Sequence, residues 1–149
     1  MVLIYFYNNA SSWKLIRNCL WRVAPIHNVT NVPLVLIIGT GPPFFGTEPS
    51  SLQRVFGERH VLNWIVDGFT NSLDQLEIHF VVGYRIEDIV EEYPEIHFAR
   101  NEDWQQTGSV GSLLSAPIDP TRPMFVCYAD VVFQSGVVED LEVSSSEAA

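Results

Sequence analysis

Lysine is almost missing from this 149-residue chain. Lys14 is the only one, and all lysines and arginines together number eight against eighteen acidic residues. The resulting formal charge of −10 leaves too few cations to line a groove that neutralises a nucleic-acid backbone, so nucleic acid is not an expected partner. Cysteine is scarce as well. Cys19 and Cys127 cannot make a disulfide framework, and a reducing, cytoplasmic setting is expected. No apolar run reaches the length that spans a bilayer, which argues against a membrane protein. The histidines His27, His60, His79 and His97 show no metal-ligand spacing, and no Ser/His/Asp or Cys/His arrangement with a supporting local motif occurs. What remains is a chain that is 47% hydrophobic. It is long enough for one domain and apolar enough for a real core, which excludes wholesale disorder.

Charge is unevenly spread. The first acidic residue is Glu48, whereas Lys14, Arg17 and Arg22 precede it. Residues 1–33 therefore read as a basic, acid-free extension: a transit peptide, the tail of an upstream domain or a mis-assigned start. From Leu34 the pattern changes. Leu34 to Ile38 is a continuous apolar run, as in a strand buried on both faces. Glu77 to Gly83, Glu95 to Ala99 and Met124 to Tyr128 read as three further strands. Val61 to Phe69, Ile86 to Tyr93 and Ser109 to Ala116 read as helices between them. Alternation of this kind predicts an α/β fold of three layers, a mostly parallel sheet with helices on both faces, spanning 34–138. Residues 139–149 read as a frayed acidic, Ser-rich tail.

In such sheets ligands bind beyond the carboxyl ends of the strands. Gly39 to Pro43, Gly83 to Arg85, Asn101 to Ser112 and Asp130 all fall there. Gly39 and Gly41 either let backbone amides approach a phosphate or simply turn the chain. Pro42 and Pro43 remove two amide donors from the same place. Asp130 either holds a magnesium ion on a substrate phosphate or caps a turn. The stretch Asn101 to Ser112 is long, polar and glycine-bearing, and is either a ligand loop or a surface loop with an N-cap at Thr107 or Ser109.

Residues from about Leu34 to Phe133 resemble the MobA-like nucleotidyltransferases. Leu36-Ile37-Ile38-Gly39-Thr40-Gly41-Pro42-Pro43-Phe44 is similar to their L-A-A-G-x-G-x-R-[FML], and Val81-Val82-Gly83-Tyr84-Arg85 to their V-V-x-G-Y-R. Asn101, Trp104, Thr107, Ser112 and Leu113, then Tyr128-Ala129-Asp130-Val131-Val132-Phe133, resemble the N-x-x-W-x-x-T, S-L and Y-[GS]-D-[IV]-[LV]-F of the cytidylyltransferases acting on phosphocholine or aminoethylphosphonate. The resemblance implies a nucleotide-diphospho-sugar transferase fold, incomplete at its C-terminal end. It also implies transfer of CMP from CTP to a phosphorylated alcohol or phosphonate. Mg²⁺ would sit on Asp130, the nucleotide against Gly39, Gly41, Gly83, Asn101, Thr107, Gly108 and Ser112, and Trp104 would serve packing. Two departures stand out. The family's loop arginine falls on Pro43 and its P-K lysine on Ser50. Such cations often carry the largest electrostatic contribution in this chemistry, so a catalytically inactive nucleotide-binding or protein-interaction domain is the alternative expectation.

Overall fold

A computed structural model describes residues 4–6, 32–119, 121–134 and 136–147. Lys14, Arg17, Cys19, Arg22 and His27 lie outside them. In chain order the elements are β1 (Ile4–Phe6), β2 (Leu34–Gly39), a short 3₁₀ turn (Ser50–Leu52), β3 (Arg54–Val55), β4 (Arg59–His60), α1 (Val61–Thr70), β5 (Glu77–Val82), α2 (Ile86–Glu92), β6 (His97–Arg100), α3 (Trp104–Leu114), β7 (Met124–Tyr128) and α4 (Gly136–Glu147).

Five strands form one sheet in the order β1-β7-β2-β5-β6. The pairs β7–β2, β2–β5 and β5–β6 are parallel, and β1 is an antiparallel edge on β7. The expected α/β architecture is therefore present. Because side chains alternate along a strand, Val35 and Ile37 join Phe80, Val82, Phe125 and Cys127 in one core, with Leu62, Ile65 and Phe69 of α1, Ile89 of α2 and Val138 of α4. Leu34, Leu36 and Ile38 turn to the opposite face with Met124 and Val126, where Leu113 of α3 packs. Helices thus cover both faces. A continuous apolar run is what a doubly buried strand requires, since each fully buried Leu, Ile or Phe contributes roughly 1.5–3 kcal/mol. No helix among the described residues is long and apolar enough to cross a membrane.

The structure corrects several expectations. The sheet takes in Ile4–Phe6, inside the segment set apart as an extension. The third strand starts at His97, because Ile96 N–H closes a turn onto Tyr93 O. The polar stretch after Asn101 is mostly helical, α3 beginning at Trp104 with a kink at Gly108. The tail is helical to Glu147, anchored by buried Val138 and half-buried Leu141.

Strand order places the ligand edge. The chain runs from β2 outward through β5 to β6, then returns through α3 to β7 on the other side of β2. The order reverses between β2 and β7, and a crevice opens at their carboxyl ends for that reason.

At the amino ends the sheet is closed by charge. Arg122 donates to the carbonyls of Val32 and Pro33 and to Glu77 Oε2, the last at 2.6 Å. His79 Nε2 meets Glu77 Oε1, also at 2.6 Å. Hydrogen bonds from His79 and Arg122 hold the Glu77 carboxyl below its ordinary range. A depressed carboxyl adds stability above its unfolded-state pKa and loses it as pH falls through the folded value. Denaturant unfolding should therefore show stability falling below about pH 4.5, and Glu77→Gln should flatten that fall while leaving the neutral-pH value lower. An unchanged acid limb in the variant would remove Glu77 from this role.

Candidate functional site

The cavity at the switch point has a volume of about 170 Å³. Gly39, Thr40, Gly41 and Pro42 form one wall and Tyr128, Ala129 and Asp130 the other, with Ser50, Ser51 and Ser109 closing it. The structure thus brings together three of the expected residues: Gly39, Gly41 and Asp130. Each stands where a buried strand ends. Gly39 also has a packing reason, for a Cβ there would lie 2.5 Å from the Phe80 ring and 2.7 Å from Ala129 Cβ.

Gly83, Asn101, Thr107, Gly108 and Ser112 do not line this cavity. They stand behind its wall, and their polar groups are spent on one another. Asn101 Nδ2 donates to Thr107 Oγ1 at 2.9 Å and to Ser112 Oγ at 3.1 Å, while Asn101 Oδ1 accepts the Asp103 amide. Ser112 Oγ donates to Gly108 O, which leaves the Thr40 hydroxyl as donor across the 2.8 Å contact between Thr40 Oγ1 and Ser112 Oγ. Ser112 is fully buried and Asn101 nearly so. Gly108 takes φ 59 and ψ −160, a conformation open essentially to glycine alone, and the kink there presents Ser109 to the cavity. Gly83 fits under Trp104, its hypothetical Cβ only 2.5 Å from the indole. Trp104 in turn meets Tyr84 edge-on at 6.1 Å. This assembly fixes the site and does not itself reach a ligand there.

The sequence reading passed over Ser51. The residue lines the cavity, it is 1% exposed, and its Oγ is the buried polar atom left without a hydrogen-bond partner among the described residues. Nearly all buried hydroxyls are satisfied, so an orphan in a residue that lines a cavity stands out. A serine between loops carries no periodic or motif signal, so only the position of Ser50 on the family's lysine drew attention to this turn.

Electrostatically the cavity is plain. Among the described residues no lysine or arginine lines it, and Asp130, exposed, is the one carboxylate. Among the described residues no three His, Cys, Asp or Glu side chains gather into a metal site. Magnesium keeps several waters and takes one or two carboxylates plus phosphate oxygens. The described lining could supply such an ion with a single carboxylate, Asp130. Cys127, beneath the site, is inert: burial pushes its thiol pKa well up.

No protein-family model matches the chain, and no curated protein matches it in sequence. The resemblance to the MobA-like transferases rests on the motif residues alone.

Two serines in one site should behave oppositely. Ser51→Ala removes an unsatisfied buried hydroxyl and should leave the free protein unchanged or more stable, by up to about 1 kcal/mol. Ser112→Ala breaks a buried network and should cost about 1–3 kcal/mol. Urea unfolding of both variants measures this, and equal losses would mean that Ser51 is satisfied in solution.

Proposed function

We propose that residues 34–138 form a nucleotidyltransferase-like domain of the nucleotide-diphospho-sugar transferase type, which binds a nucleoside triphosphate, CTP by preference, at the β2–β7 switch point. The observation that carries this is the cavity uniting the Gly39–Gly41 turn with Asp130, with Ser51, whose hydroxyl is unpartnered among the described residues, in its lining. In the reaction of the resembling family, an oxygen of a phosphorylated alcohol or phosphonate bonds to the α-phosphorus. The bond from that phosphorus to the bridging oxygen breaks, and pyrophosphate leaves. Here Asp130 would hold the nucleotide-borne magnesium, Gly39 and Gly41 would let the phosphates approach the backbone, and Ser51 would donate to a phosphate or ribose oxygen. Asn101, Thr107 and Ser112 would position the wall. A cytoplasmic setting supplies the nucleotide.

One observation favours a second reading, binding without turnover. No cation among the described residues lines the cavity, and the two that the resembling family uses fall on Pro43 and Ser50. Losing one such contact typically costs a few kcal/mol of transition-state stabilisation, which binding of a metal–nucleotide complex need not lose to the same extent.

A thermal-shift panel of CTP, UTP, ATP and GTP, with and without Mg²⁺, tests both. CTP–Mg at a hundred times its Kd should stabilise the chain by about 2.7 kcal/mol, roughly 5–10 °C, and Asp130→Ala should abolish the shift. No shift with any nucleotide would sink the binding reading. A shift that survives Asp130→Ala would remove the metal role of Asp130. Pyrophosphate release with phosphocholine or aminoethylphosphonate as acceptor separates transferase from binding domain.

A further inference from the structure

We infer that Phe44 and Phe45 form a stacking platform for the base of the nucleotide, outside the switch-point cavity; the inference rests on the nucleotide reading proposed above. The cavity itself is small. Its volume of about 170 Å³ lies below the roughly 300 Å³ at which pockets that enclose a small molecule begin. A nucleotide whose phosphates enter it leaves its base beyond the rim. The base then rests on what the rim presents.

One rim element carries aromatic rings. The chain leaves the cavity wall at Pro42 and returns to it at Ser50 and Ser51. Phe44 follows Pro42 by two residues, so their Cα atoms are at most about 7 Å apart, a distance that a nucleotide spans. Phe44 is 91% exposed and Phe45 78%. Their rings meet edge-on with centres 4.6 Å apart, and neither belongs to either core. In that geometry the ring that offers its edge keeps both faces free for a flat ligand. Two adjacent phenylalanines left in water add little to the fold, and contiguous exposed apolar surface marks a place of interaction.

The loop is also held in place. Pro42, Pro43 and Pro49 fix their own φ, and side chains from outside the loop grip three of its carbonyls. Gln53 Nε2 donates to Phe45 O at 3.2 Å and to Glu48 O at 3.4 Å. Tyr84 Oη at 3.1 Å and Arg85 Nη1 at 2.9 Å both donate to Thr47 O. Arg85 does so from a left-handed backbone, φ 47, a costly state for a residue other than glycine. A platform fixed beforehand loses little binding energy to ordering. Base–aromatic stacking tolerates any base, since each has a π-face, so the platform adds affinity and leaves the choice of base to other contacts.

The test is isothermal titration of the full chain with CTP–Mg and with magnesium tripolyphosphate, which offers phosphates and no base. Phe44→Ser combined with Phe45→Ser should leave Tm unchanged, since both positions are exposed. It should weaken CTP–Mg about tenfold or more and leave tripolyphosphate as in the unsubstituted chain. Phe44→Tyr with Phe45→Tyr keeps both π-faces and should bind CTP–Mg as the unsubstituted chain does. Undiminished CTP–Mg affinity in the serine variant overturns the platform and leaves the nucleotide reading standing. An equal loss for tripolyphosphate also overturns it, because the rings would then act through the fold of the loop, and so does a serine-like loss in the tyrosine variant. If the unsubstituted chain binds neither probe, the nucleotide reading fails and the platform with it.

Discussion

A single buried hydrogen bond joins the two halves of the candidate site. Thr40 closes β2 and Ser112 lies in α3, 72 residues later. They come from opposite ends of the excursion that carries the chain out to the sheet edge and back. Their contact ties the helix that crosses the second face to the strand at the sheet's centre. Asn101 and Gly108 O complete the valences of Ser112, so the bond is held from three sides. In a low-dielectric interior such a network is strong only while every member is satisfied. The β2 turn, the kink at Gly108 and the place of Ser109 on the cavity rim all follow from it.

The same network explains why so much polarity near the site reaches no ligand there. Asn101, Thr107 and Ser112 have the right side chains for reading a nucleotide, but their donors and acceptors are matched among themselves. Ser51 is the contrast: one hydroxyl, almost wholly buried and unmatched. An unmatched buried hydroxyl costs about 1–3 kcal/mol. Stability would favour alanine there. A fold that satisfies Ser112 from three sides leaves Ser51 without a partner among the described residues, and the two serines differ in that respect.

The legible parts of the sequence were those with period and length. Leu34 to Ile38 and Met124 to Tyr128 could be read because strands buried on both faces need unbroken apolar runs. Gly39, Gly41 and Asp130 could be placed because a site follows the ends of such strands. The start of α3 was hidden, since Gln105 to Ser112 is small and polar, with two glycines that weaken helix propensity. The helical tail was hidden by its serines; Val138 and Leu141 anchor it through tertiary packing. The β3–β4 hairpin has strands of two residues, too short for any alternation to show. Ser51 gave no signal because satisfaction of a hydroxyl is a property of three-dimensional surroundings alone.

The electrostatics of the switch-point cavity constrain any account of its ligand. Among the described residues an anion entering it meets one carboxylate and no lysine or arginine, on a chain of strongly negative net charge. Backbone amides cannot make up the difference alone, because Pro42 and Pro43 contribute no N–H to the turn. Hydroxyls of Thr40, Ser50, Ser51 and Ser109 are donors without charge, worth about half of a charge-assisted bond each, and Thr40 is already committed to Ser112. On the proposed reading, a cation carried by the ligand and held by Asp130 would supply the charge that the described lining lacks. The carboxylate and a bound phosphate would then act as one site with the ion between them, and nucleotide affinity would follow magnesium concentration.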